Sequence, residues 1–337
     1  MKTIRWGIIG CGDVTEVKSG PGFQKAEGSA LVAVTRRDAR KAEDYARRHG
    51  VGRWYADADA LIGDAEVDAV YIATPPGTHE LYAMKVLAAG KPCYVEKPMA
   101  RNAAEARRMT EAFAAKGVPL FVAYYRRAMP RYEKVRELLR LGVLGRMVAV
   151  SHTYADGQML KTYDPIPWRM QPEHSGGGLF LDLGSHVLDL FDYFGGPLTF
   201  LRGHAKNRAS PHLPVEDTVG VMFELPGGVT GSSEWSFVSE QKVDLFRLVC
   251  EKGTIEFSCF GSEPIRITLA NGHVESLDIG YPRHVHQPMI QTIVNELNGT
   301  GTCPSKGDNG TRTQAVMDAA LTSYYGGRED GFWIRKT

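Results

Sequence analysis

A short apolar run, Arg5–Ile9, passes directly into Gly10-Cys11-Gly12-Asp13-Val14-Thr15. Few folds are open to a strand that ends in two glycines one residue apart. The first glycine permits a tight turn, and the second lets a ligand approach the backbone where a helix begins. Thr15 stands where a third glycine usually serves close helix–strand packing, so the helix is expected to be pushed slightly outward. A plain glycine turn fits the same residues. The position after a buried strand favours a dinucleotide pyrophosphate instead, contacted by Gly10, Gly12, Asp13 and Val14.

The next hundred residues repeat the alternation that such a motif requires. Strands are expected at Arg5–Ile9, Leu31–Thr35, Ala69–Ala73, Pro92–Val95 and Leu120–Ala123, rich in Val, Ile, Leu and Tyr and without polar alternation. Helical patterns fill the intervals at Asp38–His49, Thr78–Ala89 and Ala103–Lys116, and Gly90 and Gly117 stand where left-handed caps are wanted. Strand–helix–strand repetition means right-handed crossovers and a parallel sheet, an α/β domain over residues 1–123. Beyond it the pattern changes. Arg131–Arg140 and Leu183–Phe194 read as helices, and from Thr218 onward apolar and polar residues alternate. Pro226-Gly227-Gly228, Lys252-Gly253 and Asn271-Gly272 mark hairpins, and helices are expected at Gln287–Leu297 and Gly310–Tyr325. Residues 124–337 are therefore expected to form an α+β domain with an antiparallel or mixed sheet.

The end of the second strand should read the adenosine ribose. Many NAD-binding folds place a carboxylate there, whereas this chain has Thr35-Arg36-Arg37-Asp38. Arg36 offers a planar fork and Arg37 a second charge, as a 2′-phosphate wants, so NADP is expected over NAD. Two solvated surface charges are the bland alternative. Asp38 is better placed to cap the following helix.

Composition narrows the partners. Lysine plus arginine (40) nearly balances aspartate plus glutamate (39), which leaves no bias to hold nucleic acid or an anionic membrane. Cys11, Cys93, Cys250, Cys259 and Cys303 form no CxxC pair, so reduced thiols are expected rather than a disulfide framework or a zinc site. No metal is expected. The chain enters a strand at once and holds no apolar run of roughly 18–20 residues, so a cytoplasmic protein is expected by elimination.

Three further blocks follow in order: Ala73-Thr74-Pro75-Pro76-Gly77-Thr78-His79, Val95-Glu96-Lys97-Pro98, and Ser175-Gly176-Gly177-Gly178 leading into Asp182-Leu183-Gly184-Ser185-His186. With the opening glycines they resemble the signature of the Gfo/Idh/MocA family, the glucose–fructose oxidoreductase and inositol dehydrogenase relatives, over essentially the whole chain. The resemblance implies a Rossmann doubly wound domain, a large open and mainly antiparallel sheet whose face makes subunit contacts, and chemistry in the cleft between domains. An open sheet must cover its outer face, so a homodimer or homotetramer is expected. The resemblance also makes Lys97 the active-site lysine and Asp182 and His186 its second-domain partners. Thr74, Pro75, Pro76, His79 and Glu96 are expected on the cofactor side. Trp168 and Arg169 resemble a segment near cofactor or substrate, with core packing as the alternative. Tyr125 and Arg126 are expected against the substrate; Arg127 is their neighbour, and a domain-joining salt bridge is the other reading.

These side chains suit hydride transfer to or from a secondary alcohol or ketone. A proton must leave oxygen as hydride leaves carbon, and a cation favours the developing alkoxide. His186 is the expected proton acceptor, with an intrinsic pKa of roughly 6.5. Lys97 would hold the substrate oxygen and Asp182 orient substrate hydroxyls; the reverse assignment, with Lys97 carrying the proton, fits equally well. A helix-capping acid and a half-buried histidine are the structural reading of Asp182 and His186. His152, His284 and His286 match no metal spacing and rank as minor substrate candidates. The expectation is an NADP-dependent oxidoreductase acting on a small polyhydroxylated molecule. A redox-neutral sugar-processing enzyme with tightly held nucleotide, an enzyme of aromatic diols, and a non-catalytic nucleotide sensor are the alternatives.

Overall fold

The computed structural model describes residues 2–334. The chain opens with β1 (Ile4–Ile9), α1 (Asp13–Val17), α2 (Gly20–Lys25), β2 (Ser29–Thr35), α3 (Ala39–His49) and β3 (Arg53–Tyr55). There follow α4 (Ala58–Gly63), β4 (Ala69–Ile72), α5 (His79–Ala88), β5 (Cys93–Val95), α6 (Ala103–Lys116) and β6 (Leu120–Val122). The six strands form one parallel sheet in the order β3-β2-β1-β4-β5-β6. That order is the doubly wound arrangement, with its reversal between β1 and β4. β4, β5 and β6 are buried at every residue, as their unbroken apolar runs require. Gly90 and Gly117 end their helices at φ 69° and 63°, the caps expected from the sequence. β3 and α4 carry no clear periodic signal and escaped the sequence reading.

The helix after the glycine loop is split. Thr15 is fully buried, its hydroxyl donating to the Gly12 carbonyl at 2.7 Å and its own carbonyl accepting from Tyr45 Oη at 2.9 Å. A Cβ on Gly20 would lie 2.2 Å from both the Thr15 carbonyl oxygen and Tyr45 Oη. Threonine in the third-glycine position is thus accommodated by a short α1, a break near Ser19, and a glycine where α2 begins.

The remaining elements are α7 (Pro130–Arg140), β7 (Met147–Ala155), α8 (Pro172–Ser175), α9 (Ser185–Gly195), β8 (Thr199–Lys206), β9 (Thr218–Leu225) and β10 (Val229–Ser236). Last come β11 (Val243–Cys250), β12 (Gly253–Phe257), β13 (Ile265–Leu269), β14 (Val274–Leu277), α10 (Gln287–Leu297) and α11 (Gly307–Tyr325). The eight strands form a second sheet, β14-β13-β12-β11-β7-β10-β9-β8, antiparallel except where β7 meets β10. All three hairpin markers sit at turns between paired strands. β7, a central strand, was not foreseen. Its inward set is Val150, His152 and Tyr154, and a histidine among them blurs the alternation that marks a half-buried strand. α9 covers one face: Phe191 stands 4.8 Å from Phe223 and 4.4 Å from Phe246, which stacks on its cross-strand partner Phe257. Met222, Glu224, Thr230, Glu234 and Arg247 remain exposed on the other.

Contacts divide the chain into two units. One comprises Met1–Ala100, Glu105–Met129 and Pro282–Thr311; the other comprises Arg101–Ala104, Pro130–Tyr281 and Arg312–Thr337. The return of 282–311 to the first unit has a local cause. Ile290 and Ile293 of α10 are buried, Ile290 lies where a Cβ on Gly22 would meet it at 2.9 Å, and Gln291 exchanges hydrogen bonds with the Glu27 backbone.

Gly20→Ala should cost about 1–3 kcal/mol, because the new methyl meets backbone oxygen that cannot yield. Urea unfolding measures it, and an unchanged midpoint would show that α1 and α2 are free to separate.

Candidate active site

Neighbouring parallel strands lie about 5 Å apart and end on one edge of their sheet. The loops after β1, β4 and β5 therefore sit side by side, and two of them touch. Gly10 has φ +89°, and a Cβ there would lie 2.8 Å from Thr74 Cγ2 and 3.1 Å from the Ala73 carbonyl carbon. No side chain fits. Gly12 differs: the nearest atom to its Cβ position is the Gly10 carbonyl oxygen, 3.8 Å away. The backbone is thus open where a pyrophosphate would approach, so the residues present fit a dinucleotide. The Gly10 and Cys11 amides donate to the Thr35 carbonyl at 2.9 and 3.1 Å, tying this loop to the end of β2. Just beyond, Arg36 Nη1 donates to the Cys11 carbonyl at 3.3 Å, which lays the guanidinium against the glycine loop. Arg37 is exposed, and Asp38 caps α3 by accepting from the Arg40 amide. Asp13 opens α1, with Val14 beside it.

After β4, Thr74 and Pro75 lead into a 3-10 turn at Pro76–Thr78 and then α5. His79 is fully buried, with Nε2 2.7 Å from the Thr74 carbonyl and Nδ1 3.2 Å from that of Met99. Burial pulls its pKa down to about 4, so the ring is neutral and owns one N–H, best assigned to the shorter contact at Nε2. His79 thereby ties the Thr74 loop to the segment after Lys97.

β5 ends in Glu96 and Lys97. Glu96 is buried and accepts from the Tyr71 hydroxyl and, at 3.1 Å, from the Lys97 amide. Lys97 is partly exposed, and its bond to Pro98 is cis. Beyond β6, Tyr125 and Arg126 occupy a buried 3-10 turn in which Arg126 Nη1 donates to Tyr125 Oη at 3.2 Å. Arg127 Nη1 donates to the Pro304 carbonyl at 3.4 Å.

In the second unit the glycine block Ser175–Gly178 is clamped from several sides. Gly178 N donates to both carboxylate oxygens of Glu216, at 3.0 and 3.1 Å, and Tyr325 Oη donates to the same group at 2.6 Å. Arg328 Nη2 donates to the carbonyls of Gly176 and Arg101. Gly176 has φ +86°, and a Cβ there would lie 2.5 Å from the Arg101 carbonyl oxygen. The chain then makes a π-helical turn, Phe180–Gly184, before α9. Asp182 lies in that turn and His186 in the first turn of α9, rather than both on one regular helix. An extra residue in a helical turn is frequent at functional sites. His186 is 3% exposed, with Phe260 against its ring, and Asp182 Oδ2 lies 3.4 Å from Arg169 Nε. Arg169 also covers the Trp168 ring at 4.5 Å. The Arg169–Asp182 pairing and the supports Glu216, Tyr325 and Arg328 had no signal in the sequence, since long stretches of chain separate the partners.

His152, His284 and His286 lie in the interior. His152 lies 3.3 Å from Asp244 and 3.4 Å from Ser233 Oγ, and His284 Nδ1 contacts the Val17 carbonyl at 2.6 Å. His286 is fully buried. Among the described residues no group of three or more His, Cys, Asp or Glu could hold a metal, and no helix is long and apolar enough to cross a membrane. All five cysteines are buried and free.

Residues 4–124 match the model of an oxidoreductase family with an NAD-binding Rossmann fold, and residues 132–256 match the GFO/IDH/MocA C-terminal domain. Oxidoreductase P35 of Formosa agariphila is 40% identical over 321 residues, 94% of this chain and 97% of its own. The chain belongs to the Gfo/Idh/MocA family. Among its Gfo/Idh/MocA relatives, trans-1,2-dihydrobenzene-1,2-diol dehydrogenase of Mus musculus is 33% identical over 240 residues, 70% of this chain and 69% of that enzyme. A levoglucosan dehydrogenase structure, in complex with NADH and levoglucosan, matches with a TM-score of 0.83 at 20% identity over 95% of this chain and 98% of its own. That last likeness concerns the fold alone. Membership in the Gfo/Idh/MocA family makes this chain an oxidoreductase with an NAD-binding Rossmann domain.

His79 yields a pH prediction. The unfolded chain takes up this proton near pH 6.5 and the folded chain only near 4, so the stability involved is present above 6.5 and lost as pH falls to 4. Its full extent is about 3 kcal/mol. Urea unfolding across that window should show wild type losing more stability than His79→Gln by about this amount; parallel curves would mean the ring does not titrate there.

Proposed function

We propose that the chain is an NADP(H)-dependent oxidoreductase that moves a hydride between the nicotinamide and a secondary alcohol or ketone of a small polyhydroxylated substrate, such as a sugar or inositol. The observation that carries this reading is the shared carboxyl edge of β1, β4 and β5, which brings the open backbone at Gly12, the Thr74 loop and the partly exposed Lys97 together. Gly10, Gly12, Asp13 and Val14 would receive the pyrophosphate; Thr74, Pro75, Pro76 and His79 shape the neighbouring loop, and Glu96 supports Lys97. A bound nicotinamide supplies the hydride acceptor or donor.

Every other role falls to side chains. The Lys97 ammonium holds the reacting substrate oxygen and favours its negative charge. His186 takes the hydroxyl proton during oxidation and returns it during reduction. Asp182, neutralised in part by Arg169, orients substrate hydroxyls, and Tyr125 and Arg126 complete the substrate contacts. Trp168, whose ring Arg169 covers, would serve the cofactor or substrate together with Arg169. The dihydrobenzenediol dehydrogenase relative supports a hydroxylated substrate. The preference for NADP rests on Arg36 lying against the glycine loop while Asp38, the nearest carboxylate in sequence, is spent on a helix cap. The uncovered face of the eight-stranded sheet, with Met222 exposed, supports a homodimer or homotetramer. Five buried thiols suit a reducing compartment such as the cytoplasm.

Two substitutions test the reading. Lys97→Ala should lower kcat by about 10²–10⁴-fold on whichever of glucose, xylose or myo-inositol is turned over fastest, with the circular dichroism spectrum unchanged. Near-normal turnover removes Lys97 from the site. Arg36→Asp should shift the ratio of kcat/KM for NADP to that for NAD towards NAD by at least about tenfold, through loss of a charge-assisted phosphate contact. An unmoved ratio refutes the phosphate role of that strand tip.

A further inference from the structure

Beneath Lys97, within the first unit, Glu96 belongs to a buried polar cluster whose members Tyr71, Tyr94 and His286 have no role above. Tyr71 of β4, Tyr94 of β5 and His286, just before α10, are each fully buried, and Glu96 is 7% exposed. One Glu96 oxygen accepts from the Tyr71 hydroxyl and lies 3.5 Å from His286 Nε2, which makes no hydrogen bond; the other accepts from the Lys97 amide. Tyr94 Oη is 3.2 Å from His286 Nδ1, and the Tyr125 ring packs on the imidazole at 4.3 Å.

This arrangement selects one state of the histidine. A neutral imidazole owns a single N–H. If Nδ1 accepts from the Tyr94 hydroxyl, the proton is on Nε2 and faces the Glu96 carboxylate. The other tautomer would set a lone pair against a carboxylate oxygen. The charged and titratable groups around the pair are Lys18, between α1 and α2, Tyr71 and Tyr94 from the strands, Lys97, Tyr125 and Arg126 after β6, and Cys303 before α11. Burial and the cations Lys18, Lys97 and Arg126 keep His286 well below the usual imidazole range, hence neutral. Burial pushes Glu96 up, while its Tyr71 and Lys97 hydrogen bonds and the charges of Lys97 and Lys18 oppose that rise.

We propose that His286 is a positioning residue: its Nε2–H helps keep the buried Glu96 carboxylate ionised and turned onto the Lys97 amide, which fixes the backbone from which Lys97 acts. The inference rests on the active-site reading of Lys97. Losing the imidazole removes an N–H dipole that faces the charged carboxylate at 3.5 Å, so Glu96 should protonate more readily.

The test is an infrared pH titration of the full-length protein, following the protonated-carboxyl band that disappears in Glu96→Gln, alongside kcat against pH on the best substrate of the sugar and inositol panel. In His286→Phe both the band midpoint and the acid limb of kcat should move up by about one pH unit, and His286→Gln, whose amide can donate, should reverse part of the shift. Tyr94→Phe, which frees the other tautomer, should move both in the same direction and serves if His286→Phe does not fold. Coincident band midpoints in wild type and variant would overturn the proposal. So would a shifted band with an unmoved acid limb, which leaves His286 a merely structural role. Failure of the site reading appears elsewhere, as normal turnover in Lys97→Ala.

Discussion

Parallel pairing of β1 with β4, and of β4 with β5, is the constraint on which the candidate site depends. Strands that run the same way must release their chains on the same edge, so the loops after these three cannot avoid one another. The sequence at each strand end is fitted to that crowding. Gly10 has no room for a side chain because the Thr74 loop is already there, His79 draws that loop towards Met99, and Glu96 turns inward beneath Lys97. Gly12 is left open. The same edge thus combines close packing with one gap, which a dinucleotide backbone requires.

The second unit reaches local rigidity by other means. Its sheet has one uncovered face, so order at the Asp182–His186 segment comes from hydrogen bonds made by distant residues. The buried Glu216 carboxylate holds the Gly178 amide, Tyr325 donates to the same group, and Arg328 donates to the carbonyls of Gly176 and Arg101. Three consecutive glycines there serve close backbone packing: a Cβ on Gly177 would approach Leu181, and one on Gly178 would approach Glu216. Their role at the opening loop is different, since Gly12 is kept bare for a ligand.

Much of this was legible from local pattern. Unbroken apolar runs identified the parallel strands, glycines marked helix ends and hairpins, and the order of the Gly10, Thr74, Lys97 and Asp182 blocks indicated the family. The losses were of three kinds. Short elements such as β3 and α4 lack the length to show a period. β7 hides because an inward histidine reads as polar. Close pairs such as Glu96 with Tyr71 and Asp182 with Arg169 join residues whose neighbours in sequence say nothing of each other. The π turn at Phe180–Gly184 was hidden for a related reason, since D-x-x-x-H reads as an ordinary helical spacing.

The single parallel contact in the second sheet, β7 against β10, has an architectural corollary. Same-direction neighbours cannot be joined by a tight hairpin, so the chain leaving Ala155 must travel before it returns at Val229. The long excursion contains Trp168, Arg169, the glycine block, Asp182 and His186, and residues 156–198 within it contribute no strand to the ladder. Such a stretch is free to lengthen, shorten or change its side chains while every rung of the sheet stays in register. Families built this way can therefore diversify what they recognise without renegotiating how they fold.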